Sequence, residues 1–576
     1  MPQERYAHVP DPAVSLVQGL PLEQEPGLGA LTLSGFLREV VARHGPREAI
    51  AQPRPDGVME RWTYDDLWQR AMEVARALIA CGTGKGSRVG ILMTNRAEFV
   101  STAFGAALAG GVVTAFSTFA TSHELDQMIT ASGCSIILVE PQVVKRNVVD
   151  ILCELEPEIL RAAPGAIHSR RYPFLRRVVS LDTATTKGAV EAWPDFLALG
   201  MPVDDAIVRA RADANSPADP GVLLFSSGST GKPKGILSAH RGVCIQMWRM
   251  RRIFGIADGE RVLTLNGFFW SGQFAMAIGG ALGSGSTLVM QSHFQPEATL
   301  ALYEAERVTM PMGWPHQWQQ LADAANWDKV DLSSLRHVGE NSPLRHHPTV
   351  RSDWQEPTRI YGNTETFTLS SAYETGTPEE VLRGAHGFPL PGMTFKVVDP
   401  LSGVTMPTGE RGELAVKGAT LMLGYLGVPL DETLDDEGFL PTGDGGYVDR
   451  DGRIYWEGRL NDIIKTGGAN VSPVEVDARL MQYPGIKLAQ TVGVPHETLG
   501  EVVVSCIVPH DGIVLDAEAI RAFAREQLAS FKVPRHILFL KEAELDQTGS
   551  AKIKTAELRR LAGEQLAQVL QGPARA

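Results

Sequence analysis

An apolar run at residues 222–225, Val-Leu-Leu-Phe, breaks off into ten residues that read Ser-Ser-Gly-Ser-Thr-Gly-Lys-Pro-Lys-Gly. No other stretch constrains the chain as much. Consecutive apolar residues bounded by turn formers predict a buried strand. Glycines then let the backbone turn tightly and approach a ligand closely. Successive backbone N–H groups, hydroxyls and two lysines suit an anion, which points to phosphate held at a strand end. The spacing is not that of the P-loop, which puts four residues between its first glycine and Gly-Lys-Ser/Thr. Here two residues separate Gly228 from Gly231 and Lys232. Pro233 follows, which disfavours a helix starting at the lysine. Composition alone is equally compatible with a flexible surface loop.

The rest of the chain alternates. Apolar periodicity predicts helices over 31–44 and 65–80, a strand at 88–92, a helix at 98–109 and strands at 112–116, 135–139 and 178–181. That βαβ rhythm predicts an α/β fold with a parallel sheet flanked by helices. A strand resumes at 236–237 and a helix at 242–254. Toward the C-terminus, short strands at 490–494 and 502–508 alternate with helices at 517–528 and 556–570, a smaller α+β part. Residues 1 to 30 are rich in proline and glycine and are expected to lie over the surface. With 576 residues, two or more domains are expected.

Net charge of −13 disfavours nucleic-acid or anionic-membrane binding. Arg170, Arg171, Arg176 and Arg177 around Tyr172 and Phe174 form the one basic-aromatic stretch, read as a solvated loop. Five scattered cysteines have no metal-ligand spacing, the usage of reduced thiols in a cytoplasmic protein. Residues 262–290 lack charge, yet Asn266, Gln273 and repeated serines and glycines interrupt them. A buried helix followed by a strand is expected there, not a membrane span.

Other stretches carry chemistry. In Tyr361-Gly362-Asn363-Thr364-Glu365-Thr366 a ring can stack on a purine, a hydroxyl can bond a phosphate and a carboxylate can hold Mg²⁺. In Thr442-Gly443-Asp444 a carboxylate at a glycine turn can accept from ribose hydroxyls, although such aspartates are usually structural. The acidic run 431–437 reads as a solvated loop.

In this order, and with residues 268–272 (FFWSG), 335–344 (LRHVGENSPL), 456–473, 531–534 (FKVP) and 548–553 (TGSAKI), the series resembles the acyl-adenylate-forming superfamily. That group includes acyl-CoA synthetases, peptide-synthetase adenylation domains and firefly luciferase. The resemblance implies a large N-terminal domain of layered αβ sheets, 1–458, and a small mobile α+β C-terminal domain, 459–576. It implies an AMP-forming acid–thiol ligase that adenylates a carboxylic acid with MgATP and passes the acyl group to coenzyme A. Ser226, Ser227, Gly228, Ser229, Thr230, Gly231, Lys232 and Lys234 would hold phosphate. Tyr361 would meet adenine, Thr364 the α-phosphate, Glu365 the Mg²⁺, Asp444 the ribose and Arg459 the nucleotide. Asn461 stands at the hinge position, and Gly467 and Gly468 would line the path of the thiol arm. Lys552 would be the catalytic lysine, preceded by Ala551 where relatives usually have glycine. Phe269 and Trp270 would line the acid pocket, with Trp270 where relatives often have histidine. Glu340 and Asn341 replace glycines; facing the pocket they would select a compact, polar or amine-bearing acid, and otherwise they face solvent. No carrier-protein segment follows residue 576, the arrangement expected with free coenzyme A. A separate carrier protein, an amine acceptor, nitrite-dependent diazotisation of an aryl amine, and a non-catalytic nucleotide sensor are the alternatives.

Overall fold

Local sequence decides several helix ends. Thr63 accepts the N–H of Asp66 and Asp66 accepts that of Thr63, so helix Tyr64–Ala80 opens on a reciprocal cap. Thr121 and Glu124 repeat the device at Ser122–Ser132. Gly133 and Gly255 end their helices in the left-handed conformation that glycine adopts without strain. The computed structural model describes residues 7–54, 56–227, 233–466, 469–496, 499–528, 530–545 and 555–570. Gly228, Ser229, Thr230, Gly231, Lys232, Gly467, Gly468 and Lys552 lie outside the described residues.

The chain forms two compact units, one of 1–8, 18–394 and 416–439, the other of 9–17, 395–415 and 440–576. The second unit thus takes in more than the 459–576 expected of the C-terminal domain, gathering 9–17, 395–415 and 440–458 as well.

The first unit holds the expected parallel sheet. Its order is Val190–Ala192, Arg177–Ser180, Ile136–Val139, Arg88–Leu92, Val112–Ala115, Pro220–Ser227, Pro233–Ala239, Gly424–Tyr425. The first six strands are parallel, and Pro233–Ala239 is antiparallel to both of its neighbours, Pro220–Ser227 and Gly424–Tyr425. A second sheet runs Met310–Met312, Arg261–Thr264, Thr287–Val289, Glu48–Pro53, Met59–Thr63. Strand side chains alternate between faces. Val89, Ile91, Ile136 and Leu138 of the first sheet and Ile50, Val262 and Leu288 of the second share one core with helices Leu33–His44, Tyr64–Ala80, Ala97–Leu108 and His240–Phe254. On the opposite faces, Ile137 and Val139 pack against Ser122–Ser132 and Val148–Leu155. Leu263 and Val289 pack against Pro296–Ala305 and Pro315–Ala322. The result is a five-layer αβαβα arrangement.

Residues 262–290 form a buried strand, then the helical turns Ser271–Gln273, Phe274–Gly279 and Gly280–Gly283, then strand Thr287–Val289. The middle turn is π-helical. Among the described residues no helix is long and apolar enough to cross a membrane. The basic-aromatic stretch is structural: Tyr172 is buried and donates to Asp126 (2.7 Å), which also pairs with Arg171 (2.6 Å). The N-terminal segment is less superficial than expected. Ala7 and His8 pair with Gly19 and Gln18, and Val17 is fully buried.

In the second unit, hairpin Ile486–His496 and Gly500–Pro509 carries His536–Phe539 in parallel and Ile464–Thr466 in antiparallel pairing. Helix Thr555–Leu570 covers one face through Leu558, Ala562 and Leu566. Pro473–Leu480 and Ala517–Gln527 cover the other through Val476, Leu480, Ile520 and Ala524. A separate hairpin, Leu440–Val448 with Ile454–Arg459, precedes them.

Candidate functional site

The ligand crevice of an open parallel sheet lies at the carboxyl ends of its strands. Strands Val112–Ala115 and Pro220–Ser227 run side by side in parallel, with Val113 beside Val222 and Thr114 beside Leu223. Their carboxyl ends therefore open together. One leads to Ser226 and Ser227, the other to Phe116 and Phe119. Phe116 stacks on Phe225 at 6.0 Å. The antiparallel return sets Ser226 opposite Lys234 and Ser227 opposite Pro233. The Ser-Gly-Thr-Lys loop thus has both ends clamped by a ladder, whatever ligand it meets.

The segment 361–369 is built to expose two side chains. A Cβ on Gly362 would run into the carbonyl oxygen of Thr368, so only glycine fits there. Asn363 accepts the N–H of Thr366 (3.0 Å) and opens the short turn Thr364–Thr366. Phe367 and Thr368 then take positive φ, +51° and +108°, conformations that cost a non-glycine residue about 1–3 kcal/mol each. Burial holds them. Phe367 is fully buried against Phe274, edge to face at 6.0 Å. The buried Gln246 amide donates to the carbonyls of Thr366 (3.0 Å) and Leu369 (2.6 Å). Thr364 and Glu365 are left half-buried at the surface of this turn.

Glu365 is tied to the loop strand by a residue absent from the sequence expectations. The Tyr425 hydroxyl donates to Glu365 Oε1 at 2.7 Å, and Lys234 Nζ sits 5.1 Å from the centroid of the Tyr425 ring. The Glu365 carbonyl also accepts the N–H of Met422 (2.7 Å). Tyr425 lies about sixty positions beyond Glu365, and only its strand pairing beside Ile236 reveals the contact. Among the described residues no cluster of three or more His, Cys, Asp or Glu side chains is placed to hold a metal ion alone. A single carboxylate whose second oxygen accepts no hydrogen bond among the described residues fits Mg²⁺, which keeps waters and binds through one or two carboxylates plus substrate phosphates.

The expected acid-pocket aromatics form a corner. Phe269 is buried and Trp270 half-buried, with ring centroids 4.8 Å apart. Phe119, 55% exposed, stacks on Trp270 at 6.1 Å and meets Phe269 edge-on at 5.8 Å. Phe274, four residues past Trp270, touches Phe367 of the Thr-Glu turn, so corner and turn are neighbours. The sequence signal for Phe119 is its place just beyond the carboxyl end of the parallel strand Val112–Ala115. Tyr361 is only 4% exposed and is bonded through its backbone to Ser371, leaving little of its ring to meet a ligand. Glu340 and Asn341 are exposed on the turn before Pro343–His346, as solvent-facing side chains are.

Asp444 and Arg459 belong to the second unit. Opposed across the hairpin, they pair through Arg459 Nε and Asp444 Oδ1 at 3.1 Å. Asp444 is 3% exposed, and Gly443 before it takes φ +72°. The Arg459 guanidinium also donates to the Thr442 carbonyl (2.8 Å), while the Gly443 N–H donates to Glu413 (2.7 Å). Burial, with the Asp444 charge adding to it, holds the Glu413 carboxyl above its ordinary range. Asn461 lies in the turn Leu460–Asp462 that follows the hairpin.

The profile described as "AMP-binding enzyme" matches residues 37–426, and that described as "AMP-binding enzyme C-terminal domain" matches 475–552. A feruloyl-CoA synthase of Amycolatopsis sp. is 30% identical over 506 residues, covering 87% of this chain and 94% of that protein. A putative acyl-CoA synthetase, YngI, of Bacillus subtilis is 27% identical over 538 residues, 92% of this chain and 96% of its own. The crystal structure of the anthranilate CoA ligase AuaEII with anthranoyl-AMP superposes with a TM-score of 0.76 at 22% identity, covering 95% of this chain and all of that one.

Proposed function

The chain belongs to the AMP-binding enzyme family, and from that membership we propose that it is an AMP-forming acid–CoA ligase with its adenylation centre at the clamped Ser226–Gly235 loop. Relatives named as CoA synthases and ligases support coenzyme A as the acceptor. The observation that carries the site assignment is the contact of Lys234 with Tyr425 and of Tyr425 with Glu365, which joins two motifs far apart in sequence at one sheet end.

A carboxylate oxygen of the acid attacks the α-phosphorus of ATP, and the bond to the β-phosphate oxygen breaks, leaving acyl-adenylate and pyrophosphate. Both reactants are anions, so alignment and charge stabilisation carry the step. Ser226, Ser227, Gly228, Ser229, Thr230, Gly231, Lys232 and Lys234 hold the departing pyrophosphate, and Thr364 bonds the α-phosphate. Glu365 would hold Mg²⁺, which would supply neutralisation of phosphate charge. Asp444 accepts the ribose hydroxyls and Arg459 meets the nucleotide, while the buried Tyr361 offers adenine no more than a ring edge. Lys552 neutralises the attacking carboxylate. Phe269 and Trp270, with Phe119, wall the organic part of the acid. The thiol of coenzyme A, guided past Gly467 and Gly468 after rotation about Asn461, then displaces AMP. Five free thiols support work in a reducing, cytoplasmic setting.

The test is pyrophosphate release across aliphatic and aryl carboxylic acids, with and without coenzyme A. Expected are acid-dependent pyrophosphate, a single turnover without coenzyme A, and AMP with thioester in its presence. ADP and phosphate as products, or ATP binding with no acid-dependent cleavage, would exclude the reading.

A further inference from the structure

We propose that Tyr425 is a positioning residue for adenylation, whose hydroxyl fixes Glu365 toward the metal-bound triphosphate while its ring couples that carboxylate to Lys234 of the phosphate loop. The inference rests on reading Glu365 as the Mg²⁺ carboxylate. Tyr425 itself touches no reacting atom.

The chain around Tyr425 is anchored on both sides. The N–H of Met422 donates to the Glu365 carbonyl (2.7 Å), while Leu423 and Leu426 donate to Leu237 (2.7 Å) and Gly235 (2.8 Å). A Cβ on Gly235 would sit 2.8 Å from Leu426 Cδ1, so glycine there permits this close approach. Residues 422–426 therefore bridge the Thr-Glu turn and the strand leaving the loop. The side chain repeats the bridge, with its hydroxyl on Glu365 Oε1 and its ring under Lys234 Nζ.

The chemistry of the donor matters. A glutamate has several rotatable bonds, and one left free would have to be ordered each time a cation arrives. An arginine or lysine could order it only by cancelling its charge. A phenol orders it with a neutral donor, so the carboxylate keeps its full charge for Mg²⁺ and engages only one oxygen in doing so. A cation over a phenol ring draws on the ring's electron density. Lys234 thereby polarises the hydroxyl toward the carboxylate, the cooperative sense of a hydrogen-bond chain.

The test uses the full-length protein and equilibrium binding of ATP, measured once in saturating Mg²⁺ and once in EDTA. Tyr425→Phe keeps the ring and its lysine contact and removes only the hydroxyl. It is expected to weaken MgATP binding by about tenfold to a hundredfold, the scale of a hydrogen bond to a charged group, and to leave metal-free ATP binding and the ligand-free melting temperature unchanged. The Mg²⁺ concentration giving half-maximal pyrophosphate release should rise with it. Equal weakening in both conditions, or none in either, overturns the proposal. Glu365→Gln separates the layers. If it removes the advantage of MgATP over ATP and Tyr425→Phe does not, only the role of Tyr425 fails. If Glu365→Gln leaves that advantage intact, the metal reading of Glu365 and the inference built on it fail together.

Discussion

Glu365 and Asp444 are both carboxylates on tight turns, and the fold treats them in opposite ways. Glu365 sits half-buried on a strained turn and takes a neutral donor, the Tyr425 hydroxyl. Asp444 is almost fully buried on a hairpin and takes a cationic one, the Arg459 guanidinium. A carboxylate beside a phenol keeps its charge and suits a cation. A carboxylate already facing arginine has its charge balanced and suits neutral hydroxyls. On the proposed roles, the partner rather than the residue type would separate a metal ligand from a sugar acceptor.

That contrast is open to attack at three points. The largest effect is expected at the anchor of the Glu365 turn. Phe367→Ala removes a fully buried ring and should cost about 3–5 kcal/mol in urea unfolding. It should also lower adenylation by the protein that remains folded, because the buried Phe367 ring is one of the two anchors, with the Gln246 amide, that hold Phe367 and Thr368 at positive φ. Unimpaired adenylation would show that the turn needs no anchor. Asp444→Asn comes next. It should weaken ATP binding by about 1.5–3 kcal/mol, the worth of hydrogen bonds to a charged acceptor, with little change in melting temperature because Arg459 is half exposed. Titration with 2′- and 3′-deoxy-ATP checks the ribose assignment, since both should bind the variant no worse than ATP does.

The smallest effect concerns a third carboxyl, Asp477, whose hydrogen-bonding neighbour is Thr491 rather than a cation. It lies on helix Pro473–Leu480 with Oδ1 buried and unpartnered among the described residues, and burial, outweighing the hydrogen bonding from Thr491, pushes its carboxyl up to about 8 from an ordinary 3.8. The folded protein therefore binds a proton here that the unfolded chain has released between those values. Stability from this group is greatest at low pH and declines as pH rises through about 8. Melting should occur lower at pH 9 than at pH 6, by about 2–4 °C per kcal/mol of linkage, and Asp477→Asn should flatten the difference. A wild-type melting temperature that does not fall over this range would contradict a buried neutral Asp477.

Much of the fold was legible because its signals are local. The predicted strand at 88–92 is Arg88–Leu92, and the predicted helix at 98–109 is Ala97–Leu108. Strand 236–237 proved to be Pro233–Ala239, since ladder pairing extends past the apolar core of a strand. Leu16–Gly19 was hidden by the prolines and glycines around it. The tight turns that carry Thr364, Glu365 and Asp444 were readable from their local chemistry, while their ligand roles belong to the proposal. Tyr425 and Gln246 were not, because each acts through a partner far away in sequence, and strand order decides which distant residues meet.

The order and spacing of the motifs, the helix caps and the alternating strand faces belong to the sequence by itself, because each depends on residues within a few positions of one another. Which donor reaches each carboxylate belongs to the tertiary structure. Tyr425 reaches Glu365 because Gly424–Tyr425 pairs at the sheet edge beside Ile236 and Leu237, and Arg459 reaches Asp444 because a hairpin sets them opposite. Charge compensation acts over a few ångströms in space, and only the folded chain brings those atoms that close.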